Sequence, residues 1–331
     1  MALMALIMLI VSSITFFIIR WLPGDPVFLL VGDHPTKEQI EQARKDFGFD
    51  DPVYKQYASF LKKIMVLDFG VSLRTRQPII TEITNRFSAT FELVLFSMFM
   101  AVILGYLMGI ISALRQRTIL DYLVRGFGYI GLSVPVFWLG MIMQLIFFGI
   151  LFLFPLQGRY SGVGSLNSQL INYSGFLLID SILSFEWDLF TDALKHMILP
   201  SLTMAFGVLG IMLRTTRTST IEIMNTLFFR TFRSFGFNDY ETILKSGYKN
   251  TLIPVTTVAG LSFGLMLGGT FLIESIFDWP GLGQFSVLSI LTRDFPAILG
   301  VTIIYSSTYV IINFLIDVFY VLIDPRIRGQ N

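Results

Sequence analysis

FSATFELVLFSMFMAVILGYLMGIISAL, residues Phe87 to Leu114, decides the fold. It carries one charged side chain, Glu92, in 28 residues. A helix needs about 20 mostly apolar residues to cross the roughly 30 Å hydrocarbon core of a bilayer. This stretch therefore reads as a membrane span. Five others follow the same pattern: Met1 to Ile19, about Val136 to Phe154, about Met197 to Leu213, about Thr251 to Ser275 and about Pro296 to Ile323. In chain order Phe87–Leu114 is the second of six. The expected fold is an all-α integral membrane protein with six transmembrane helices.

Composition agrees. The 331 residues are 54% hydrophobic and 14% charged, where a soluble domain is about 25% charged. The 33 Phe residues suit lipid. A disordered chain, a fibrous repeat and an ordinary soluble enzyme are excluded. A net charge of +1 predicts no strong attraction to polyanions, hence no nucleic-acid partner. With no Cys there is no disulfide, thiolate metal site or catalytic thiol. Two His, His34 and His196, are too few for a His-rich metal centre. The first span lacks a basic n-region and an A-x-A site before Trp21, so it reads as a span and not a signal peptide. The missing basic residues also fit a start codon upstream of Met1.

Lys and Arg in short loops set orientation. The segments after spans two and four, with the tail after span six, hold Arg115, Arg117, Arg125, Arg214, Arg217, Arg230, Arg233, Lys245, Lys249, Arg326 and Arg328. The short segments after spans three and five hold only Arg159, Lys195 and Arg293. The first set is expected to be cytoplasmic, which puts both termini inside. The segment 21–86 is then extracytoplasmic, and 87–331 is the core with five spans. The outer segment reads as folded. Thr36 and Gln39 form a capping box after Pro35. Ile40, Ala43 and Phe47 share a helical face that Gly48 can close. Val53, Tyr57, Phe60 and Ile64 align in a second amphipathic run after Pro52. Two readings stand: a solvated cap, or a platform for an external partner.

No enzyme constellation is present. The phosphate-cradling G-x-x-x-x-G-K-[ST] loop, G-x-S-x-G and H-E-x-x-H are all missing. Ionisable groups in spans are functional candidates because lipid disfavours them. Glu92, Glu274 and Asp317 all sit near span ends, where they are expected to reach water or headgroups or to cap a helix. Gly260, Gly264 and Gly268 recur at a spacing of four, followed by Gly269, and allow close helix approach. Packing within the chain is the expectation; a dimer contact is the alternative. Pro135 should break or kink the chain before span three, and Trp138 suits the membrane interface.

The cytoplasmic loop 214–250 alternates charge with Phe228, Phe229, Phe232, Phe235, Phe237 and Tyr240. Arg230 to Phe235 reads as a short helix stopped by Gly236. Asn238 caps a second helix running to Lys245 or Ser246 and stopped by Gly247. Such a hairpin either lies on the membrane or inserts aromatic anchors into a groove of a soluble partner.

At this loop the chain resembles the inner-membrane permease subunits of binding-protein-dependent ABC importers, of the dipeptide, oligopeptide and nickel family (first-permease type). Arg230-Thr231-Phe232-Arg233-Ser234-Phe235-Gly236, then Asn250-Thr251-Leu252-Ile253-Pro254, is similar to that family's E-A-A-x-x-x-G loop. Arg230, Thr231 and Phe232 stand where Glu-Ala-Ala would be. Further matches are Leu22-Pro23-Gly24-Asp25-Pro26, Phe47-Gly48-Phe49-Asp50-Asp51-Pro52, Asp68-Phe69-Gly70-Val71-Ser72 and Ala89-Thr90-Phe91-Glu92-Leu93. Gly131-Leu132-Ser133-Val134-Pro135-Val136-Phe137-Trp138, then Glu274-Ser275-Ile276-Phe277-Asp278-Trp279-Pro280-Gly281-Leu282-Gly283, then Asp324-Pro325-Arg326 complete the series.

The resemblance implies a type I ABC importer permease fold. It implies ATP and Mg bound by two separate ATPase subunits, a second homologous permease, and an extracytoplasmic binding protein that docks on the outer segment. It makes Arg230 to Gly236, Asn238, Tyr240 and Pro254 the ATPase-coupling loop. Pro135, Trp138, Gly264, Gly268, Glu274, Trp279 and Pro280 become structural or gating candidates. Peptides are the expected substrates. Nickel or a nickel chelate is the runner-up and oligosaccharides come third. A stand-alone transporter or channel is the rival class; it would need coupling-ion groups at mid-membrane or inverted repeats.

Overall fold

A computed structural model describes residues 2–21, 36–38, 41, 51–162 and 173–323. The elements Leu22–Pro26, Phe47–Pro52 (save Asp51 and Pro52) and Asp324–Arg326 lie outside the described residues, as do Gln39, Ile40, Ala43, Phe47 and the side chain of Asp317. Among the described residues there are helices, turns and one isolated bridge, Val71 to Pro78, and no strand ladder.

In chain order the helices are α1 (Ala2–Trp21), α2 (Val53–Met65), α3 (Ile79–Leu114), α4 (Ile119–Ser133), α5 (Val136–Met143), α6 (Leu177–Leu183), α7 (Trp187–Met224), α8 (Leu227–Ser234), α9 (Asp239–Thr242), α10 (Tyr248–Ile276), α11 (Leu282–Leu291) and α12 (Phe295–Ile323). Helices α3, α7, α10 and α12 are each long and apolar enough to cross a membrane. The 20 residues of α1 give a helix of roughly 30 Å.

Span three departs from expectation. α5 continues only as a wider π-helical turn, Gln144–Ile150, and α4 precedes it at a bend of 109°. Pro135 causes the break: it has no N–H to donate, and it forces the preceding Val134 out of helical conformation to ψ 127°. α4 lies in the segment after span two, for which the sequence pattern carries no helix expectation. Thr118 starts it by accepting the N–H of Asp121.

The chain divides into two compact units, residues 1–88 with 281–310, and residues 89–280 with 311–331. In the first unit Ile79 and Ile83 of α3 bury against Leu282 and Phe285 of α11 and Ala297 and Val301 of α12. A Cβ on Gly300 would lie 2.8 Å from Ile79 Cγ2, so only glycine permits that approach. α2 lays Tyr57 and Phe60 against Phe16 of α1, with ring centroids 5.3 and 5.0 Å apart. Ser72, at the end of the Asp68–Ser72 element, is fully buried and donates to Asp294, which caps α12 through the N–H of Ala297.

In the second unit α7 is the central helix, packed by α10, α4, α5 and α6. Glycines set the spacing. A Cβ on Gly105 would come within 2.5 Å of Met212 Cβ, one on Gly109 within 2.5 Å of Thr216 Cβ, and one on Gly210 would overlap the Gly128 carbonyl. Close backbone approach of this kind is how helices associate where lipid supplies no hydrophobic drive. Pro200 sits buried inside α7 without ending it. Membrane helices tolerate proline because neighbouring groups satisfy the freed backbone.

The glycine series on α10 divides. Gly260 packs within the chain: its Cβ would lie 2.7 Å from Ile316 Cδ1. A Cβ on Gly268 or Gly269 would meet nothing within 4 Å among the described residues. The expectation of packing within the chain therefore holds for Gly260 and fails for Gly268 and Gly269.

Candidate functional site: a cytoplasmic aromatic hairpin and two buried charge networks

The hairpin begins where α7 ends. Thr226 starts α8 by accepting the N–H of Phe229. The helix closes in a Schellman motif: Gly236 N donates to Arg233 O at 3.0 Å and Phe237 N to Phe232 O at 3.3 Å. Gly236 has φ +87°, the left-handed conformation that glycine enters without strain. The rings of Phe232 and Phe237 accompany that turn at 5.6 Å, and Phe228 lies 4.9 Å from Phe232. One aromatic points inward. Phe229 is buried and joins Ile110, Ile223 and Ile243, so burying its ring contributes roughly 1.5–3 kcal/mol toward holding α8 to the helix ends.

What remains outside is apolar and basic. Leu227, Phe235 and Tyr240 are 80%, 76% and 58% exposed. Arg230, Thr231, Arg233 and Ser234 are exposed and Phe232 is half-buried. Arg233 pairs with Asp239 at 3.0 Å, and Lys245 lies 5.6 Å above the Phe237 ring. The Arg233 pair is mostly exposed and contributes under about 1 kcal/mol.

Asn238 forms a full capping box with Glu241 at the start of α9. The chain does not then stop at Gly247. Gly247 has helical dihedrals, and a π-helical turn, Ile243–Gly247, leads directly into α10. The expected second stop is therefore absent. A continuous helical path runs from Asp239 past Pro254 to Ile276. Glycine ends a helix mainly when it takes up the left-handed conformation, and Gly247 does not.

A buried network occupies the other end of the second unit. Glu92 accepts the N–H groups of Leu177 and Leu178 at 3.2 and 2.8 Å, so it caps α6, and it pairs with Arg159. The positive end of a helix N-terminus favours a carboxylate there. Glu274 is fully buried and accepts from Thr90 Oγ1 at 2.6 Å. Trp279 is also fully buried, donates Nε1 to the Ala89 carbonyl at 2.9 Å, and has the Arg159 guanidinium 6.0 Å from its ring. Glu92 thus caps a helix, one of the two expected roles, and Glu274 holds a protein partner where water, a headgroup or a helix end was expected. The spacing of the spans does not reveal this, because the partners come from distant segments. Pro135 and Trp138 lie at the break before α5, with Trp138 and Pro280 exposed, and Gly264 is half-buried on α10.

A second network was missed. Asp121 on α4 is almost fully buried and accepts from Ser112 Oγ at 2.6 Å, from the Arg117 backbone, and from Arg217 through Nε at 2.9 Å and Nη2 at 3.1 Å. Arg125 Nε is 3.3 Å away. The one local signal was Thr118 three residues before Asp121, a capping pattern.

Comparison with known proteins bears on both ends. Residues 105–329 match the family of binding-protein-dependent transport system inner membrane components, and residues 1–94 match the N-terminal family of such membrane components. The chain is 38% identical over 323 residues to a probable D,D-dipeptide transport system permease protein, DdpB, of Escherichia coli (strain K12), covering 96% of this chain and 93% of that one. It is 36% identical over 317 residues to the dipeptide transport system permease protein DppB of Alkalihalophilus pseudofirmus, covering 96% and 94%. It is 34% identical over 319 residues to the glutathione transport system permease protein GsiC of Escherichia coli (strain K12), covering 96% and 94%.

Proposed function

The chain belongs to the family of binding-protein-dependent transport system inner membrane components, and from that membership we propose that it is the permease subunit of an ATP-driven importer of dipeptides and short peptides. Its fold is the all-α, type I ABC importer permease fold, and it is a multi-pass membrane protein. The relatives named above transport dipeptides, a D,D-dipeptide and glutathione by their names, and none of those names speaks of nickel. A peptide substrate is therefore the reading favoured over a nickel chelate.

The observation that carries the mechanism is the hairpin. Phe229 anchors α8, while Leu227, Phe235, Tyr240 and the exposed Arg230 are left for a partner. An exposed helix with an aromatic face fits a groove on a soluble subunit. That subunit is an ATPase, one of two, and it binds ATP and Mg; this chain supplies no hydrolytic site. Closure of the ATPase pair moves α8. The continuous path from α9 through the π turn into α10 conveys that motion into the membrane as a rigid element. The pathway, shared with a second homologous permease, then alternates between outward and inward access. Both termini and the hairpin face the cytoplasm, and residues 21–86 face the binding protein outside.

The test is purification of the tagged chain from native membranes in mild detergent. Recovery of a second permease and ATPase subunits, with ATPase activity stimulated by a peptide-loaded binding protein, is the expected result. Recovery of the chain alone, active in vesicles without ATP, overturns the reading.

A further inference from the structure

We propose that the pocket between α4 and α7, beside the Asp121 network, is a binding site for the phosphate group of an anionic phospholipid. The pocket has a volume of about 130 Å³, and its lining includes Arg125, Tyr129, Arg214, Arg217 and Thr218 together with Gly128 and Gly210. Three arginines converge there, and one buried carboxylate, Asp121, answers them. Arg217 is committed to Asp121 by two hydrogen bonds. Arg125 is held more loosely: its Nε lies 3.3 Å from Asp121 Oδ1, an ion pair that makes no hydrogen bond, and its guanidinium stacks 4.7 Å from the Tyr122 ring. Arg214 is exposed and has no hydrogen bond or ion pair among the described residues. The pocket therefore holds an excess of two positive charges, with unfilled N–H donors.

Depth and surroundings select a lipid. The apolar run of α7 ends at Leu213, and that of α3 ends at Leu114, each followed directly by arginine. Arg214 and Arg115 thus mark the level where hydrocarbon gives way to headgroups. α4 leaves the axis of the following helix at 109°. It exposes Tyr122, Leu123, Tyr129 and Ile130, the mixture of aromatic rings and aliphatic chains found at a membrane interface. Basic pockets between membrane helices take acidic lipid headgroups. Arginine's planar fork suits phosphate oxygens, and Thr218 and Tyr129 can add hydroxyl donors. Arg217 lies seven residues before the end of α7, about 10 Å by helical rise, and α8 begins three residues beyond that end. A lipid bound there braces the α4–α7 contact next to the hairpin. That bracing role rests on the importer reading above; the binding site does not.

The experiment is native mass spectrometry of the purified complex, as assembled, titrated with phosphatidylglycerol, phosphatidylcholine or inorganic phosphate. Phosphatidylglycerol should be retained in preference to phosphatidylcholine. Arg214→Gln, whose side chain makes no hydrogen bond or ion pair among the described residues, should weaken retention about fivefold, and Arg125→Gln with Arg214→Gln by that factor again. Lys62→Gln with Lys63→Gln on α2, which removes equal charge from residues that do not line the pocket, should leave retention unchanged. Equal retention of the two lipids overturns the proposal, as does retention that ignores Arg214→Gln. Inorganic phosphate displacing the lipid at equal concentration shows a free-phosphate site instead and overturns the lipid assignment. Failure of the importer reading would show as absent ATPase partners in the same spectra, whatever the lipid does.

Discussion

Arg217 on α7 grips Asp121 on α4 with two N–H groups, at 2.9 and 3.1 Å, across 96 positions of sequence. Asp121 is almost fully buried, so its charge persists only because Arg217, Ser112 and the Arg117 backbone surround it. Removing one partner of a buried pair leaves the other uncompensated. Arg217→Ala should therefore destabilise the chain by about 3–5 kcal/mol. Thermal unfolding in detergent checks this; an unchanged midpoint would mean that water solvates Asp121 as well as Arg217 does.

The Glu92–Arg159 pair should show energetic coupling. Glu92 also caps α6 through Leu177 and Leu178, so Glu92→Gln retains some capping while losing the charge. A double-mutant cycle with Arg159→Gln should return about 1.5–3 kcal/mol, the range for hydrogen bonds to charged groups. Additive single effects would place the pair outside any shared network.

Gly236→Ala tests the hairpin. Space is not limiting, since nothing among the described residues lies within 4 Å of the added Cβ, but φ is +87°. The strain is about 1–2 kcal/mol and falls on the Schellman turn that orients Phe237. Insertion into the membrane should be normal, while binding-protein-stimulated ATPase activity and peptide uptake fall severalfold. Uptake at the wild-type rate would separate the hairpin from coupling.

Two glycines should respond in opposite ways. Gly109→Leu places its Cβ 2.5 Å from Thr216 Cβ and should prevent α3 from packing on α7, with loss of folded protein. A Cβ on Gly268 meets nothing within 4 Å among the described residues. Gly268→Leu should leave the isolated chain's unfolding midpoint unchanged and instead reduce recovery of the second permease on purification. Equal losses of folded chain in both variants would refute this division.

Orientation can be read directly, because the chain has no cysteine. Ser59→Cys on α2 and Ser234→Cys at the end of α8 are both exposed positions. In right-side-out vesicles an impermeant maleimide should label Ser59→Cys at once and Ser234→Cys only after lysis. The reverse pattern would invert the topology and remove the hairpin from the ATPase side.

Much of this molecule was legible in one dimension. Runs such as Phe87–Leu114 announce a membrane helix by length and apolarity alone, since burial in lipid is a property of each segment by itself. Local backbone chemistry was equally plain: Asn238 with Glu241, Gly236 after α8, and Pro135 between α4 and α5 each act within a few residues. Gly247 shows the limit, because whether a glycine stops a helix depends on the dihedrals its neighbours impose.

The sequence by itself therefore determined that this chain lives in a membrane, roughly where it crosses, and which short motifs tie it to its family. The tertiary structure alone decided which glycines touch a neighbour, that Glu92 and Glu274 are enclosed by partners from remote segments, and that Arg125, Arg214 and Arg217 meet at one pocket beside Asp121. The physical reason is the range of the interactions. Transfer into lipid and helix capping act over one segment or one turn, and can be read along the chain. Charge pairing and close packing join helices about a hundred positions apart, and become visible only when the helices are laid side by side.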